Sequence, residues 1–208
     1  MNTREPILHP VPIEELRPTQ MTVGFREVAE KRRGWRERAE KSEKKAGEFL
    51  GSHLVPAVIG PKQRYYLVDH HHLALALLEE KQETVLVTVL ADLRALPKVA
   101  FWTYMDNRAL CHPYDAAGKR RTFDDIPRSV TALADDPYRS LSGELRRAGG
   151  FAKDITPFSE FLWADFMRPR IRAKQIEQRF SAAIEKAMAL AKSEEAAYLP
   201  GWCGPHPD

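Results

Sequence analysis

The sequence predicts an α+β fold, with an α/β head over residues 1–110 and a helical tail of similar size over residues 111–208. Three observations lead to this division. In the first half, the strand-like runs HLVPAVIG, RYYLV and VLVTVL alternate with segments of helical periodicity. Beyond residue 110 the sequence shows no convincing strand pattern. The second half holds a loop-rich stretch and then three helix-like segments with start and stop signals of their own.

Taken in order, Pro10 to Leu16 reads as a short strand or extended entry, ended by Arg17-Pro18. A long amphipathic helix is expected next, with Val28, Trp35, Ala39, Ser42, Ala46 and Phe49 forming its stripe and Gly34 weakening it near the middle. Gly51-Ser52 ends that helix. The strand HLVPAVIG comes next, and its Pro56 favours an edge position or the first paired residue. Gly60-Pro61 turns the chain into the strand Arg64 to Val68, and Asp69 is expected to start a helix. Val85 to Leu90 is a third strand, and Pro97 opens a helix to about Asn107. In the tail, Tyr138 to Ala148 reads as a short helix stopped by Gly149-Gly150, and Thr156-Pro157 as the cap and first turn of the next. That helix would bury Phe158, Phe161, Leu162, Phe166 and Met167. A last helix from about Arg172 to Ala197 ends at Pro200-Gly201.

Composition excludes several classes. With 43% hydrophobic residues the chain is too apolar to be disordered, and its longest apolar run, Leu73 to Leu78, falls far short of the roughly 18 to 20 residues that cross a bilayer. The opening MNTREPILHP has no apolar signal core, so no export signal is expected. Cys111 and Cys203 form neither a disulfide framework nor a metal knuckle, which points to the reducing cytoplasm. The net charge of +3 is modest, but it is localised. Arg26 to Glu48 holds nine basic and six acidic residues, the whole excess of the protein. Two readings compete: a solvated face laced with i,i+4 ion pairs, or a phosphate-facing surface centred on KRRGWRER.

The stretch RYYLVDHHHLALALLEE carries the most chemistry. A strand runs into Asp69, which is expected to cap a helix, with Val68 and Leu73 in the two positions of a hydrophobic staple. The body of that helix is apolar on every side and therefore buried. His70, His71 and His72 would thus stand at a buried helix start, where free backbone N–H groups and the dipole favour an anion. Consecutive helical residues point about 100° apart, so the three cannot ligate one metal together. One or two are expected to face the anion as donors or proton carriers. Asp69 would cap the helix, hold a histidine tautomer or hold magnesium. In the tail, Glu160 and Asp165 are five residues apart and do not form a paired acid and base, and Phe158, Phe161, Trp163 and Phe166 are expected in the core.

These residues carry a resemblance. PIEELRPTQ, the strand leading into DHHH, and the strand and helix after it are similar to the ParB/sulfiredoxin superfamily. The set LRPTQMTVGFREV, VDHHHLALAL, FWTYMDNR, HPYDAAGKRR, DDPYRSL and TPFSEFLWADF resembles more closely the DHHH-containing group of ParB-like nucleases, over about residues 10 to 171. The resemblance implies a small mixed sheet with helices, and nucleotide phosphates at the helix start that holds His70, His71 and His72. Three departures narrow the activity. The chain lacks the arginine-rich motif and helix-turn-helix of partition proteins. It lacks the cysteine that sulfiredoxins need. Gln20 falls nearest the place of the glutamate base of the free-serine kinases, and an amide takes no proton.

The leading expectation is a nucleotide-binding enzyme that hydrolyses a phosphoryl group or transfers it to a small-molecule acceptor. Asp69, His71 and His72 would be catalytic, and Thr19, Gln20, Thr22 and the three histidines would surround the phosphates of a nucleoside tri- or diphosphate with Mg2+. The alternative is a nuclease or DNA-binding protein that contacts DNA through Lys31, Arg32, Arg33, Arg36 and Arg38. A third expectation, motivated by Gln20, is a non-catalytic interaction module. No membrane partner is expected.

Overall fold

The structure, a computed structural model, describes residues 8–205. Most of the opening stretch on which the export-signal expectation rests lies outside them. No helix among the described residues is long and apolar enough to cross a membrane.

Strand β1 (Leu8–Pro12) leads through one turn of 3-10 helix to the two-residue strands β2 (Arg17–Pro18) and β3 (Thr22–Val23). Helices α1 (Phe25–Lys41) and α2 (Glu43–Ser52) come next, then β4 (Val55–Gly60), β5 (Arg64–Leu67), α3 (His71–Glu79), β6 (Thr84–Asp92) and α4 (Lys98–Asn107). Five strands form a sheet in the order β1-β6-β4-β5-β2. β1 and β6 are antiparallel, β6 and β4 parallel, β4 and β5 antiparallel, and β5 and β2 parallel, so the sheet is mixed.

The edge position expected from Pro56 is corrected, because β4 is the middle strand. Pro56 is tolerated there because it stands one residue before the ladder to β5 begins at Ala57 and Leu67. Its carbonyl still accepts from the Val68 amide at 2.9 Å, so the missing N–H falls at the end of the ladder and not within it. β4 is buried along nearly its whole length, as a central strand must be. On one face Val58 joins Phe101, Trp102, Met105, Cys111 and Ile126 in a cluster that also takes in Tyr66 and Phe123. A Cβ at Gly60 would come within 2.7 Å of the rings of Tyr66 and Phe101, so a bare backbone is what lets α4 lie this close to the sheet.

The long basic helix is not divided at Gly34. α1 continues through it, with Val28 and Trp35 buried, and the break falls at Ser42. Ser42, expected on the apolar stripe, has an extended backbone instead. Its hydroxyl accepts from the Lys45 amide at 3.1 Å, which makes it the cap of α2.

The chain forms two compact units, one of the residues up to Thr22 together with Val28–Ala134, the other of Val23–Glu27 together with Asp135 onward. The division expected at residue 110 therefore falls at Ala134, because Cys111 and Ile126 pack on α4. In the second unit Asp136 accepts from the Tyr138 amide at 2.9 Å and Pro137 opens α5 (Pro137–Arg147). The expected Thr156-Pro157 cap is corrected. α6 (Ser159–Met167) is entered through Phe158 in the left-handed region, and its buried face is Phe161, Trp163, Ala164, Phe166 and Met167, with Leu162 left exposed. The single last helix is two, α7 (Ala173–Gln178) and α8 (Phe180–Ala191), separated by the non-helical Arg179. Of the four aromatic residues expected in the core, Phe161, Trp163 and Phe166 are buried, and Phe158 is only half-buried. Beside them the buried Arg139 bridges Glu27 and Glu160, and Arg146 also reaches Glu160. Burial works to raise the Glu160 pKa, but Arg139 and Arg146 outweigh it and hold the carboxyl below its ordinary value.

Candidate functional site

The β5–α3 junction is assembled from two stretches of the first unit. Leu67 ends β5, and its carbonyl accepts from the Thr19 hydroxyl at 2.7 Å. Its ladder to β2, Arg17 with Tyr66 and Pro18 with Leu67, brings Thr19 alongside. The Thr19 amide then donates to Nε2 of His71 at 3.1 Å. Nδ1 of His71 carries the proton, because Nε2 is an acceptor, and the Leu67 carbonyl is the backbone partner of this ring. Burial, with His70 adding to it and the Leu67 carbonyl opposing, pushes the His71 pKa down to about 3. His71 is thus a neutral ring, 2% exposed, that ties the RPTQ stretch to the helix start.

Asp69 does not cap α3. That place belongs to His70, which sits in the left-handed region at φ 67° and makes no side-chain cap bond. The Asp69 carboxylate accepts from the amide of His70 itself at 2.6 Å, and its other oxygen faces His70 Nε2 at 4.0 Å. With His70 in the cap position, Val68 and Leu73 no longer occupy staple positions. Asp69 is largely exposed, whereas Nδ1 of His70 is buried and has no hydrogen-bond partner. The pKa of His70 is lowered by burial first, against Asp69, with Lys31 and His53 depressing it further. His72 is buried in the first turn.

Thr19, Gln20 and Thr22 are all buried. Gln20 donates through Nε2 to the Thr22 carbonyl at 2.6 Å, so its side chain is occupied in shaping its own loop. The hydroxyl of Thr22 is buried with no partner. The structure thus joins Thr19 directly to His71, Gln20 to Thr22 and Asp69 to His70. Two histidines near this junction are not anticipated by the sequence. His53, together with Lys31, is close enough to act on the charge of His70. His112 donates its amide to the Thr19 carbonyl at 2.8 Å, with its ring stacked on Tyr114. HPYDAAGKRR is the only sequence signal for His112, and nothing local marks His53.

Among the described residues no three of His, Cys, Asp and Glu converge in a way that could hold a metal ion. With Asp69 as the one carboxylate at the helix start, the donor set does not suit an Mg2+ held by the protein alone. The start of a helix in general suits an anion better than a cation, through its dipole and first-turn amides.

The basic helix is largely engaged with its own unit. Arg32 pairs with Glu79 at 2.7 Å and with Glu80 at 2.6 Å, and Arg36 reaches Glu80 at 2.5 Å. Arg38 donates to the Gly34 carbonyl and lies over the Phe49 ring. Of the five expected DNA contacts, Arg33 alone is exposed with no partner among the described residues, since Lys31 too interacts. Arg120 and Arg121 pair with Asp106 and Asp115. In the second unit Glu160 is held by Arg139 and Arg146, and Asp165 by Arg168.

A family model described as "Putative ParB-like nuclease" matches residues 9–169. Among solved structures the chain is similar to protein Atu1540 from Agrobacterium tumefaciens, at 52% sequence identity over 96% of this chain and 99% of that one, with a TM-score of 0.88. No curated protein matches the chain.

Proposed function

The chain belongs to the ParB-like nuclease family, and on that basis we propose that its first unit binds a nucleotide phosphate at the start of α3 and hydrolyses or transfers a phosphoryl group there. The observation that carries this reading is His70, a non-glycine residue in the left-handed region at the start of α3 whose ring holds a buried, unpartnered Nδ1. Such backbone strain costs of the order of 1 kcal/mol or more and persists where something in the fold or its ligand requires it. Nδ1 of His70 and the hydroxyl of Thr22 donate to phosphate oxygens, and the first-turn amides of α3 offset charge as it builds in the transition state. Asp69 orients His70 and is the carboxylate within reach of an Mg2+ ion carried in by the phosphates. His71 and Thr19 hold the loop in register, and His72 lines the buried side.

A phosphodiester of DNA presents the same oxygens, and the Lys31 charge near His70 favours it as a second substrate class. Calorimetric titration with ATP, ADP, CTP and GTP, each with Mg2+, paired with assays of phosphate release and of cleavage of end-labelled single- and double-stranded DNA, separates the two. Saturable nucleotide binding that His70→Ala weakens tenfold or more is expected. Neither nucleotide binding nor cleavage by the intact chain, with His70→Ala indistinguishable from it, would end the proposal.

A further inference from the structure

A concave feature lies in the first unit, apart from the helix start. A cleft of about 270 Å³ is lined by Arg17, Lys62, Arg64, Lys98 and Arg128, with Tyr66, Trp102 and Phe123 among its apolar walls. Asp124 is the one carboxylate in the lining, and it pairs with Lys98 at the rim. Arg17 donates to the main-chain carbonyl of Arg128 and meets no carboxylate. Lys62, Arg64 and Arg128 are exposed and have no acidic partner among the described residues. This contrasts with α1, where Arg32 and Arg36 converge on Glu80. Four cations facing one depression without counter-charge repel one another, an arrangement that an anion relieves.

The backbone supports the same conclusion. Lys62 and Gln63 are consecutive non-glycine residues in the left-handed region, at φ 63° and 58°. Such pairs are uncommon, and this one turns the chain between β4 and β5 so that Lys62 lines the cleft. The floor is firm. Tyr66 meets the edge of Trp102 at 5.5 Å and 87°, and Trp102 stacks on Phe123 at 5.5 Å and 6°. The Phe123 ring is engaged by Trp102 and by the Arg120 guanidinium, 5.6 Å from its centroid. The aromatic groups therefore act as a wall of fixed shape for an apolar body, and the guanidinium forks above it suit the planar oxygens of a phosphate or carboxylate.

We propose that this cleft binds a small organic anion, a phosphate or carboxylate on a compact apolar body, with Arg17, Arg64, Arg128 and Lys62 holding the charged group and Tyr66 and Trp102 forming the floor. The cleft's volume admits a body of about ten to fifteen heavy atoms and excludes a folded macromolecule from its floor. The proposal stands independently of the site at His70.

Calorimetric titration of the full chain with phenyl phosphate, phenylacetate and inorganic phosphate tests it, using the intact protein and its Arg64→Glu, Arg128→Glu and His70→Ala variants, each checked for an unchanged melting profile. Saturable binding of phenyl phosphate or phenylacetate, weakened tenfold or more by either charge reversal and unaltered by His70→Ala, supports the proposal, and the preferred compound identifies the anionic group. No saturable binding of either overturns it. Binding lost in His70→Ala but kept in Arg64→Glu overturns it as well, because the anion then sits at the start of α3. So does salt-sensitive retention of DNA with no uptake of the small anions.

Discussion

The backbone amide of Thr19 and Nε2 of His71, 52 residues apart in sequence, are joined by a hydrogen bond of 3.1 Å inside the first unit. This bond makes His71 an acceptor on one side of its ring and leaves no room for an added proton there. The folded protein holds the His71 pKa at about 3, whereas the unfolded chain has it near 6.5. Between those values the unfolded state binds the extra proton, so the contribution to stability is complete above about pH 6.5 and declines as pH falls toward 3. His70 is shifted in the same direction and adds to the slope. Urea midpoints measured at steps from pH 7.5 to 4 should fall, and in His71→Gln the fall should be much shallower, from a starting stability lower by about 2–4 kcal/mol.

Glu80 titrates in a different window. Arg36 chiefly, with Arg32 and against the effect of burial, holds its carboxyl down to about 2. Its contribution is therefore present above the unfolded carboxylate value of 4.5 and lost as pH falls from there through about 2, a window that overlaps only the lower part of the range in which His71 acts. Arg36 is half exposed and Arg32 one-third exposed, which keeps the pairing modest. Glu80→Ala should cost about 1 kcal/mol at pH 7, and part of that loss should disappear in 1 M salt.

Gly60 tests how tightly α4 lies on the sheet. A methyl group there meets the Tyr66 ring at 2.5 Å and the Phe101 ring at 2.7 Å. Gly60→Ala should destabilise by about 1–3 kcal/mol and alter near-ultraviolet circular dichroism, since the displaced rings belong to the Tyr66–Phe101–Trp102 cluster.

Thiol labelling separates the two cysteines. Burial above all, with Asp106 adding and Arg120 opposing, pushes the Cys111 thiol up to about 12, whereas Cys203 is exposed. A thiol reagent at pH 8 should modify one group quickly in the native protein and the second only on unfolding.

Periodicity in the sequence is enough to find strands β4, β5 and β6 and the helices α3 to α6, because burying one face imposes a period that local inspection can detect. Three kinds of feature lie beyond it. The left-handed entries at His70 and Phe158 are forced on ordinary residues by packing, so propensity offers no warning. Strand order depends on pairings distant in sequence, which is why Pro56 suggests an edge for a strand that lies in the centre. The roles within DHHH depend on Thr19, which turns His71 into a fixed tie and leaves His70 with an unpartnered nitrogen. The cationic cleft is the least legible, since it draws on residues from Arg17 to Arg128, 111 positions apart.

The chain crosses between its units three times, after Thr22, after Glu27 and after Ala134, and this has a consequence for biosynthesis. Residues 23–27 leave the ribosome early, but the rest of their unit is made only after the whole of the first unit has been synthesised. Until then Glu27 waits for Arg139, and the second unit cannot close as an independent folding event. A fragment beginning at residue 135 would leave Arg139, one of its few buried charges, with a single carboxylate in place of two. Neither unit is separable by one cut, so the protein is a poor candidate for dissection and a good one for study as an intact chain.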